Sequence, residues 1–502
     1  MSAVVLLLLL SCCSVRAQEK TILERLEDAL YKGFDDVWPF LKSFPTPTDL
    51  RVNKMDLFRG IANKGPWTDY CLAKIIDKVL KKEAIRVLII GESISAGANL
   101  GCRNNKRTFH YGLASWWLKT ITAATGSRLI RHQIAVGGVA TNYFDRCWKE
   151  YLYLNETFDL VLWEFAFNDA DANQGCKSIE RFTRSIGNLK STPGVIFVTF
   201  FRKTFFEQYT SKTAKNPCDV DNEDLAKRHE EHEETIAKVT SYYGVTSLDL
   251  ERTVCSALER NSSSLSFKQM FSTDHPSFLA HAQMTFILIH YLRASFATIV
   301  RAMKTLANSD KKTRLQFRDS TPKKILPSPL FLSPEETDVA EEPVCWTAVL
   351  PNFHIKPKHD LFDLTVKYSK GFTKLEKMDW RDADEKRFDS TSGFQTTKAN
   401  ETIRFDFTVP TLKEKINQRI SLAIRNKFFG GKVQVTVRSY TNKTESNRRE
   451  LTDVAGDIFD SSTKFFSGLN VFDISKQIQP GKSSLVVKTL TGGIMICGIV
   501  IS

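Results

Sequence analysis

The chain has 502 residues, too many for one hydrophobic core, because single cores stop growing near about 250 to 300 residues. Two domains are therefore expected. Its composition, 42% hydrophobic and 25% charged, excludes an intrinsically disordered chain. The formal charge of +13 at pH 7 favours anionic glycans or phospholipid surfaces as partners. Nucleic acid is not expected, because there is no zinc-finger spacing, basic heptad helix or RNP-like string.

The first 17 residues predict a cleaved signal peptide. An apolar run from Ala3 to Leu10 is followed by small and polar residues that end in Val15, Arg16 and Ala17. The run is too short to span a bilayer, and no later stretch approaches about 18 uninterrupted apolar residues, so no integral membrane span is expected. We therefore expect a secreted protein or one that stays in the lumen of the secretory pathway.

Cysteines and glycosylation sequons fit an oxidising compartment. Of the 10 cysteines, all but Cys12 and Cys13 follow the predicted signal peptide, and this even set is typical of disulfides, although the spacing does not define the pairing. No two of them form a C-x-x-C pair, so neither a zinc ribbon nor a thioredoxin-type site is expected. Sequons for N-glycosylation lie at Asn155, Asn261, Asn400 and Asn442.

Five short β-branched runs alternate with amphipathic stretches from residue 84 onward, which is the pattern of βαβ units around a parallel sheet. One helix is predicted after Asn222, a suitable N-cap, and a last helix near Ala280 would close the domain. The five predicted strands are Ala84–Ile90, Arg131–Val136, Phe158–Phe165, Gly194–Phe200 and Gly244–Leu250.

The character of the chain changes on both sides of this α/β domain, which we predict at 84–307. Residues 18–83 are a predicted helical extension. Residues 308–343 are rich in proline and charge and are predicted to be a linker. From 344 to 502 the hydrophobic period becomes two, as in Ile403, Phe405, Phe407 and Val409, in Ile420, Leu422 and Ile424, and in Val433, Val435 and Val437. This alternation predicts an antiparallel β-sandwich.

The first predicted strand runs directly into the string Gly91-Glu92-Ser93-Ile94-Ser95-Ala96-Gly97. Ser93 therefore lies at the carboxyl end of a parallel strand, where α/β sheets bind their ligands. Glycines at both ends of the string permit a sharp turn that exposes the hydroxyl. A serine there can act as a nucleophile, although a helix N-cap after a strand is an equally common meaning of such a string.

Two further positions point to the same edge of the sheet. Asn168 follows the third predicted strand, and its side-chain amide could donate to an oxyanion. Gly138 follows the second, and glycine lets a backbone N–H approach the same point. Each residue, taken alone, is equally suited to a plain loop turn.

His275 lies past the fifth predicted strand, in the string Phe271-Ser272-Thr273-Asp274-His275-Pro276. An imidazole in this place could take the proton of a serine hydroxyl and return it to a leaving group. The other histidines, including His281, His229 and His232, are predicted to be surface or core residues. His229 and His232 lack H-E-x-x-H spacing and lie in a run of charge, so no metal or other cofactor is expected.

Together and in this order, the strings resemble the motifs of the SGNH (GDSL-like) hydrolase superfamily, over about residues 84–294. The tail with its β-rich pattern is similar to eukaryotic secreted members that carry an appended C-terminal β-domain. The resemblance implies a flavodoxin-like three-layer α/β/α domain with a parallel five-stranded sheet, followed by the antiparallel β-sandwich. It also implies Ser93 as nucleophile, His275 as general base, and an oxyanion hole formed by the Ser93 and Gly138 N–H groups and the Asn168 amide.

The sequence departs from the family pattern at three places. Glu92 replaces the usual Asp, Ala166 replaces the usual Gly, and Ser272 stands where the family has the acid that orients the histidine. The nearest acid is Asp274, which could complete a triad only if the loop is kinked, since neighbouring residues of an extended segment point apart. A backbone carbonyl, or no group, remains the alternative, and reduced activity would follow from a missing acid.

The expected activity is that of a serine esterase that hydrolyses carboxylic esters through an acyl-enzyme, with O-acetyl groups on a glycan as the favoured substrate. An acetylated glycan or a lipid ester is the expected partner. Two alternatives remain open: an O-acyltransferase that uses the same site, and a catalytically degenerate secreted carbohydrate-binding protein.

Overall fold

The fold is described from a computed structural model. It describes residues 17–31, 52–98, 100, 105–152, 156–169, 175–200, 223–259, 270, 275–307, 326–333, 343–351, 356–376, 392–411, 418–425, 432–441, 449–460, 469–478 and 480–502. The predicted signal peptide up to Arg16 lies outside these residues, as do Ser272, Asp274 and the sequons at Asn155, Asn261 and Asn442.

The described helices lie almost entirely in the first 307 residues. In chain order they are α1 (Ala17–Tyr31), α2 (Lys54–Arg59), α3 (Pro66–Leu80), α4 (Ser93–Ala96), α5 (Phe109–Trp117), α6 (Ala123–Thr125), α7 (Thr141–Cys147), α8 (Ala166–Asp169), α9 (Gly175–Gly187), α10 (Glu223–Tyr243), α11 (Leu250–Glu259) and α12 (Phe278–Ala307). The helices predicted after Asn222 and near Ala280 are therefore confirmed, as α10 and α12.

The strands fall into an N-terminal and a C-terminal group. The first group is β1 (Ile61–Asn63), β2 (Ile85–Gly91), β3 (Leu129–Ala135), β4 (Leu160–Glu164), β5 (Gly194–Thr199) and β6 (Thr246–Asp249). The second is β7 (Val344–Thr347), β8 (Thr365–Lys370), β9 (Thr373–Leu375), β10 (Gly393–Thr396), β11 (Thr402–Val409), β12 (Gln418–Arg425), β13 (Lys432–Thr441), β14 (Arg449–Asp460), β15 (Leu469–Ile478), β16 (Gly481–Thr491) and β17 (Ile494–Ile501).

Contacts divide the chain into two compact units. Unit 1 comprises residues 1–135, 157–170 and 186–330, and unit 2 comprises residues 136–156, 171–185 and 331–502. Two segments from the first half of the chain, which carry α7 and α9, are thus grouped with the C-terminal strands.

The sheet of unit 1 has the strand order β1-β6-β5-β4-β2-β3. The five predicted strands pair in parallel, in the flavodoxin-like order, which confirms the predicted fold class. One strand was not predicted: β1 adds to the edge in antiparallel orientation, with Ile61 opposite Leu248. Because β2 has β3 on one side and β4 on the other, the chain reverses its direction of winding there. Its carboxyl end is the topological switch point, the usual ligand site of this fold.

The central strands of this sheet are buried on both faces. Every residue of β4 is buried, and β2 has one exposed residue, Arg86. Near-continuous apolar runs are typical of parallel strands covered by helices on each side. By length and composition alone, helix α12 could cross a membrane. However, 61% of its apolar stretch is buried inside the protein. It contributes Met284, Leu288 and Phe296 to the same core as the sheet.

Unit 2 contains two antiparallel sheets. One has the order β15-β12-β17-β10-β9, with β7 paired to β17, and the other has the order β14-β13-β16-β11-β8. The predicted alternation is confirmed in β11, where Ile403, Phe405, Phe407 and Val409 are the buried positions. These side chains share one core with Ile420, Leu422 and Ile496 of the other sheet, so the predicted β-sandwich is confirmed.

A disulfide links the segment 136–156 to the strands of unit 2. Cys147 of α7 forms a disulfide with Cys345 of β7, across 198 residues of sequence. Cys255 is also disulfide-bonded, whereas Cys71, Cys176 and Cys497 are thiols. The expectation of disulfides is thus confirmed for part of the set.

Candidate active site

Ser93 begins α4, two residues after Gly91, the last residue of β2. Its side chain is nearly buried, with 5% of the residue exposed. The turn depends on glycine at both ends. A Cβ on Gly91 would lie 2.4 Å from Oγ of Ser95, and Gly97 has φ +84°, a left-handed conformation that suits glycine. The close approach at Gly91 and the left-handed backbone at Gly97 explain locally why the string around Ser93 forms a tight turn at the sheet edge.

His275 contacts the predicted nucleophile directly. Its Nε2 lies 2.8 Å from Oγ of Ser93, although the two residues are 182 positions apart in the sequence. Three residues later the chain enters α12, which begins at Phe278. This distance is that of a hydrogen bond between a nucleophile and its general base. For Nε2 to accept the hydroxyl proton, the ring must carry its own proton on Nδ1.

Ser95, two positions beyond Ser93, is fully buried and is hydrogen-bonded to the carboxyl group of Glu164. Oε2 of Glu164, the last residue of β4, accepts the backbone N–H of Ser95 at 3.0 Å and its hydroxyl at 2.9 Å. The same oxygen lies 3.4 Å from the Glu92 nitrogen, and the Glu164 carbonyl accepts that N–H at 3.1 Å. Glu164 therefore holds the turn on both sides of Ser93.

The carbonyl of Ser95 is bound from the opposite direction. Gln133 of β3 donates to it at 2.8 Å, and Nε2 of His110 lies 3.0 Å away. Arg131 fixes the tautomer of His110, because its guanidinium, 2.9 Å from Nδ1, can only donate. Nδ1 therefore accepts and Nε2 carries the proton that is donated to Ser95. Burial and the nearby Arg131 charge lower the pKa of His110 to about 3, so this ring is neutral.

Glu164 and Glu92 form a buried pair of acidic residues next to Ser93. Both are fully buried, and their side chains interact with each other. Burial raises the pKa of Glu164 to about 8, and the hydrogen bonds from Ser95 and Glu92 lower it less than burial raises it. The Glu164 carboxyl group therefore keeps its proton at neutral pH.

The other predicted site residues lie as follows. Asn168 is in α8, directly after β4, and only 5% of it is exposed. Gly138 follows β3 in the left-handed conformation, with φ +68°, and its carbonyl accepts the N–H of Leu469 at 2.8 Å within unit 2. Their participation in an oxyanion hole stays a prediction. Asp274 lies outside the described residues, so its role as third member of a triad also stays a prediction.

His281 is a core residue, as predicted. It is fully buried beside Phe109 and Phe200, and its Nδ1 accepts the Phe109 N–H at 3.3 Å. Burial, and secondarily His275, lower its pKa to about 3. His229 and His232 lie on α10, as predicted for a helical segment. Within the part of the chain that the structure describes, no group of three or more His, Cys, Asp or Glu residues could hold a metal ion.

Two residues at the site were missed by sequence reasoning. Glu164 stands in the Trp163-Glu164-Phe165 string, but only the sheet order shows that it ends beside Ser95. His110 has no motif at all, and reaches Ser95 because α5 passes over the nucleophile turn. A charged residue inside an otherwise apolar buried strand was the available signal for Glu164, since such residues are rarely buried without a partner.

The chain thus combines a flavodoxin-like α/β fold, the fold of SGNH hydrolases, with a C-terminal β-sandwich, and a serine at the switch point of its sheet is hydrogen-bonded to a histidine. The chain is similar to the structure of a two-domain esterase active on acetylated mannans, co-crystallized with mannopentaose. The similarity covers 88% of this chain and 97% of the esterase, with TM-score 0.53 and 14% sequence identity. A second structure of a two-domain esterase active on acetylated mannans gives TM-score 0.52 with the same coverage and identity. No protein-family model and no curated protein matches the chain.

Proposed function

We propose that the protein is a secreted serine esterase that removes acyl groups, above all O-acetyl groups, from a glycan through an acyl-enzyme on Ser93. The observation that carries this proposal is the 2.8 Å contact between Nε2 of His275 and Oγ of Ser93. A buried serine hydroxyl at the switch point of an α/β sheet, bonded to an imidazole, is the arrangement from which an activated nucleophile starts.

The reaction divides into two balanced half-reactions. Oγ of Ser93 attacks the ester carbonyl carbon while Nε2 of His275 takes the hydroxyl proton. The tetrahedral intermediate collapses, the bond to the alcohol oxygen breaks, and His275 returns the proton to that oxygen. Water then attacks the acyl-Ser93 ester, His275 accepts a proton from the water, and the carboxylic acid leaves as Oγ regains its proton.

The negative charge of the intermediate requires donors at the carboxyl edge of the sheet. We assign this role to the N–H groups of Ser93 and Gly138 and to the side-chain amide of Asn168. Each such donor contributes about 10²-fold to 10³-fold in kcat when it points at the developing oxyanion. Asp274 is the proposed partner that keeps the proton on Nδ1 of His275.

The substrate class and the location are inferred from several features. A two-domain esterase active on acetylated mannans is similar in fold over 88% of this chain, which favours an acetylated glycan over a lipid ester. The Cys147–Cys345 disulfide fits an oxidising compartment, and the Asn400 sequon is exposed on a turn. These features support secretion, and with it an extracellular or luminal substrate.

A fluorophosphonate probe tests the nucleophile, because only an activated serine reacts with it. The parent protein should label and should release acetate from an acetylated mannan. Ser93→Ala should lose both signals, and His275→Ala should reduce turnover by about 10⁴-fold to 10⁶-fold. Ser115→Ala, a half-buried serine of α5, is the matched control and should behave as the parent.

The remaining outcomes separate the alternatives. If Ser93→Ala labels as strongly as the parent, the nucleophile is wrong. If the parent neither labels nor releases acetate from any acetyl ester, the protein is not an esterase, and the alternative of a catalytically degenerate carbohydrate-binding protein is favoured. If an added sugar acceptor becomes acetylated in place of acetate release, the same acyl-enzyme serves an O-acyltransferase.

A further inference from the structure

We propose that Glu164 and His110 are positioning residues that hold the nucleophile turn through Ser95 and thereby fix the direction of the Ser93 hydroxyl. This inference rests on the proposed function, since it concerns the same serine. It adds two residues that lie outside the predicted triad and oxyanion hole.

The geometry of Ser95 carries the inference. Its N–H and hydroxyl both donate to Oε2 of Glu164, at 3.0 and 2.9 Å, and its carbonyl accepts from His110 and Gln133 at 3.0 and 2.8 Å. All of its polar groups are therefore bonded, and the residue is fully buried. A residue fixed in this way cannot rotate, and Ser93 is two positions away in the same single helical turn.

The partners of Ser95 come from three different elements. Glu164 ends β4, Gln133 lies in β3, and His110 lies in α5. The strands flank β2 on either side, so the turn that leaves β2 is held from both neighbouring strands and from a helix. A one-turn helix of four residues has little stability of its own, because nucleation is unfavourable. The turn is therefore held in place by these tertiary bonds.

The chemistry of Glu164 suits this role more than a catalytic one. Its Oε2 is occupied by the Ser95 donors, and its carboxyl group faces the carboxyl group of Glu92. Its bonds to Ser95 make it part of the turn, and its effect must pass through the position of Ser93. A displacement of about 1 Å of a catalytic group can cost about 10²-fold in rate.

The test compares three substitutions at this network with a matched control. Glu164→Ala should lower kcat on an acetyl ester by about 100-fold, with KM changed less than about 3-fold. Glu164→Gln should recover most of the loss, because its amide oxygen can still accept both hydrogen bonds from Ser95. Ser95→Ala, which removes one hydrogen bond, should cost about 10-fold in kcat.

Glu251→Gln is the control. Glu251 lies on α11 of the same unit, and burial raises its pKa to about 8 as well, so the change is chemically equal. It should leave kcat unchanged. If Glu164 served stability alone, kcat and KM would change only as far as the melting temperature changes, and they would do so equally in Glu164→Gln and Glu251→Gln.

His110 is tested by the same logic. His110→Gln keeps a donor toward Ser95 and an acceptor for Arg131, and should stay within about 5-fold of the parent. His110→Leu removes both and should lower kcat about as much as Glu164→Ala. Far-UV circular dichroism establishes which variants are folded. If Glu164→Ala or His110→Leu does not fold, the kcat values of Ser95→Ala, Glu164→Gln and His110→Gln test the positioning role.

The proposal and the proposed function fail differently. An active parent with Glu164→Ala or Ser95→Ala at the parental kcat overturns the positioning role alone. A parent that neither labels with fluorophosphonate nor cleaves an acetyl ester overturns the proposed function, and the positioning role with it.

Discussion

The two units bury polar side chains in different arrangements. In unit 1 the buried Glu164, Ser95 and His110 converge on the end of one strand, beside Ser93. In unit 2 Asp145 and Arg181 join segments that are distant in sequence, and Arg146 reaches Asp473 of β15. The comparison shows that buried polar groups can have two roles: they can position the side chains of a candidate active site, or they can stabilise the fold. Substitutions that change rate without changing stability identify the first kind.

The largest expected effect falls on the histidine of the site. If Asp274 orients His275, as proposed, Asp274→Asn should lower kcat by about 10⁴-fold, because the imidazole would lose the proposed partner of its Nδ1 proton. The melting temperature should change little. Steady-state kinetics and thermal unfolding check this, and a kcat within about 10-fold of the parent would mean that another group orients His275.

Removal of Asp145 should produce the largest loss of stability in unit 2. The side chain of Asp145 is fully buried, 2.5 Å from Arg181 and 3.6 Å from Arg146. Asp145→Ala leaves buried guanidinium charge without its partner, which costs about 3 to 5 kcal/mol of unfolding free energy. The control is Asp473→Ala, whose side chain is 47% exposed and screened by solvent, so the loss should be about 0 to 1 kcal/mol. Equal losses in urea unfolding would contradict the comparison.

The disulfide of unit 2 should contribute a similar or smaller amount. Replacement of Cys147 and Cys345 together by Ala opens a loop of 198 residues and should cost about 2 to 5 kcal/mol. Cys497→Ala, at a buried thiol in the same unit, is the matched control and should cost less, because it removes packing without opening a loop. Chemical unfolding of both variants under non-reducing conditions measures the difference. If the double variant loses no more than the control, the bond does not stabilise unit 2.

The smallest effects are changes in the pH dependence of stability, and they have opposite signs in the two units. Glu164 and Glu251 of unit 1 have pKa values raised to about 8 by burial, so each keeps its proton when folded and releases it when unfolded. Their contribution is complete below the ordinary pKa of 4.5 and is lost as pH rises through about 8. Glu164→Gln and Glu251→Gln should therefore flatten the fall in melting temperature between pH 5 and 8.

Asp473 of unit 2 acts at the other end of the scale. Burial raises its pKa, but Arg146 and the hydrogen bonds from Arg146 and Ser421 outweigh burial and lower it to about 2. The contribution of Asp473 is complete above the ordinary pKa of 3.8 and is lost as pH falls through about 2. Asp473→Asn should flatten only this acid limb. A change of the alkaline limb in Asp473→Asn would contradict the assignment.

Local patterns in the sequence were sufficient for most of the fold. Period-two alternation placed β11 and β13, and continuous β-branched runs placed β2 to β6, because burial on one or two faces leaves those two signatures. The edge strand β1 was missed, since three half-buried residues carry no period. The sequence also gives no sign that residues 136–156 and 171–185 pack with the C-terminal strands, because packing partners across 200 residues are not encoded in local spacing.

The sequence by itself singled out Ser93 and His275 as the candidate nucleophile and base. A Gly-flanked serine after a buried strand and a histidine before the last helix are local signals, and the sheet topology brought them to 2.8 Å. Only the tertiary structure decided what surrounds them. Glu164 and His110 reach Ser95 from a neighbouring strand and a helix, over 69 and 15 positions of sequence, and hydrogen-bond geometry across such distances exists only once the sheet has formed.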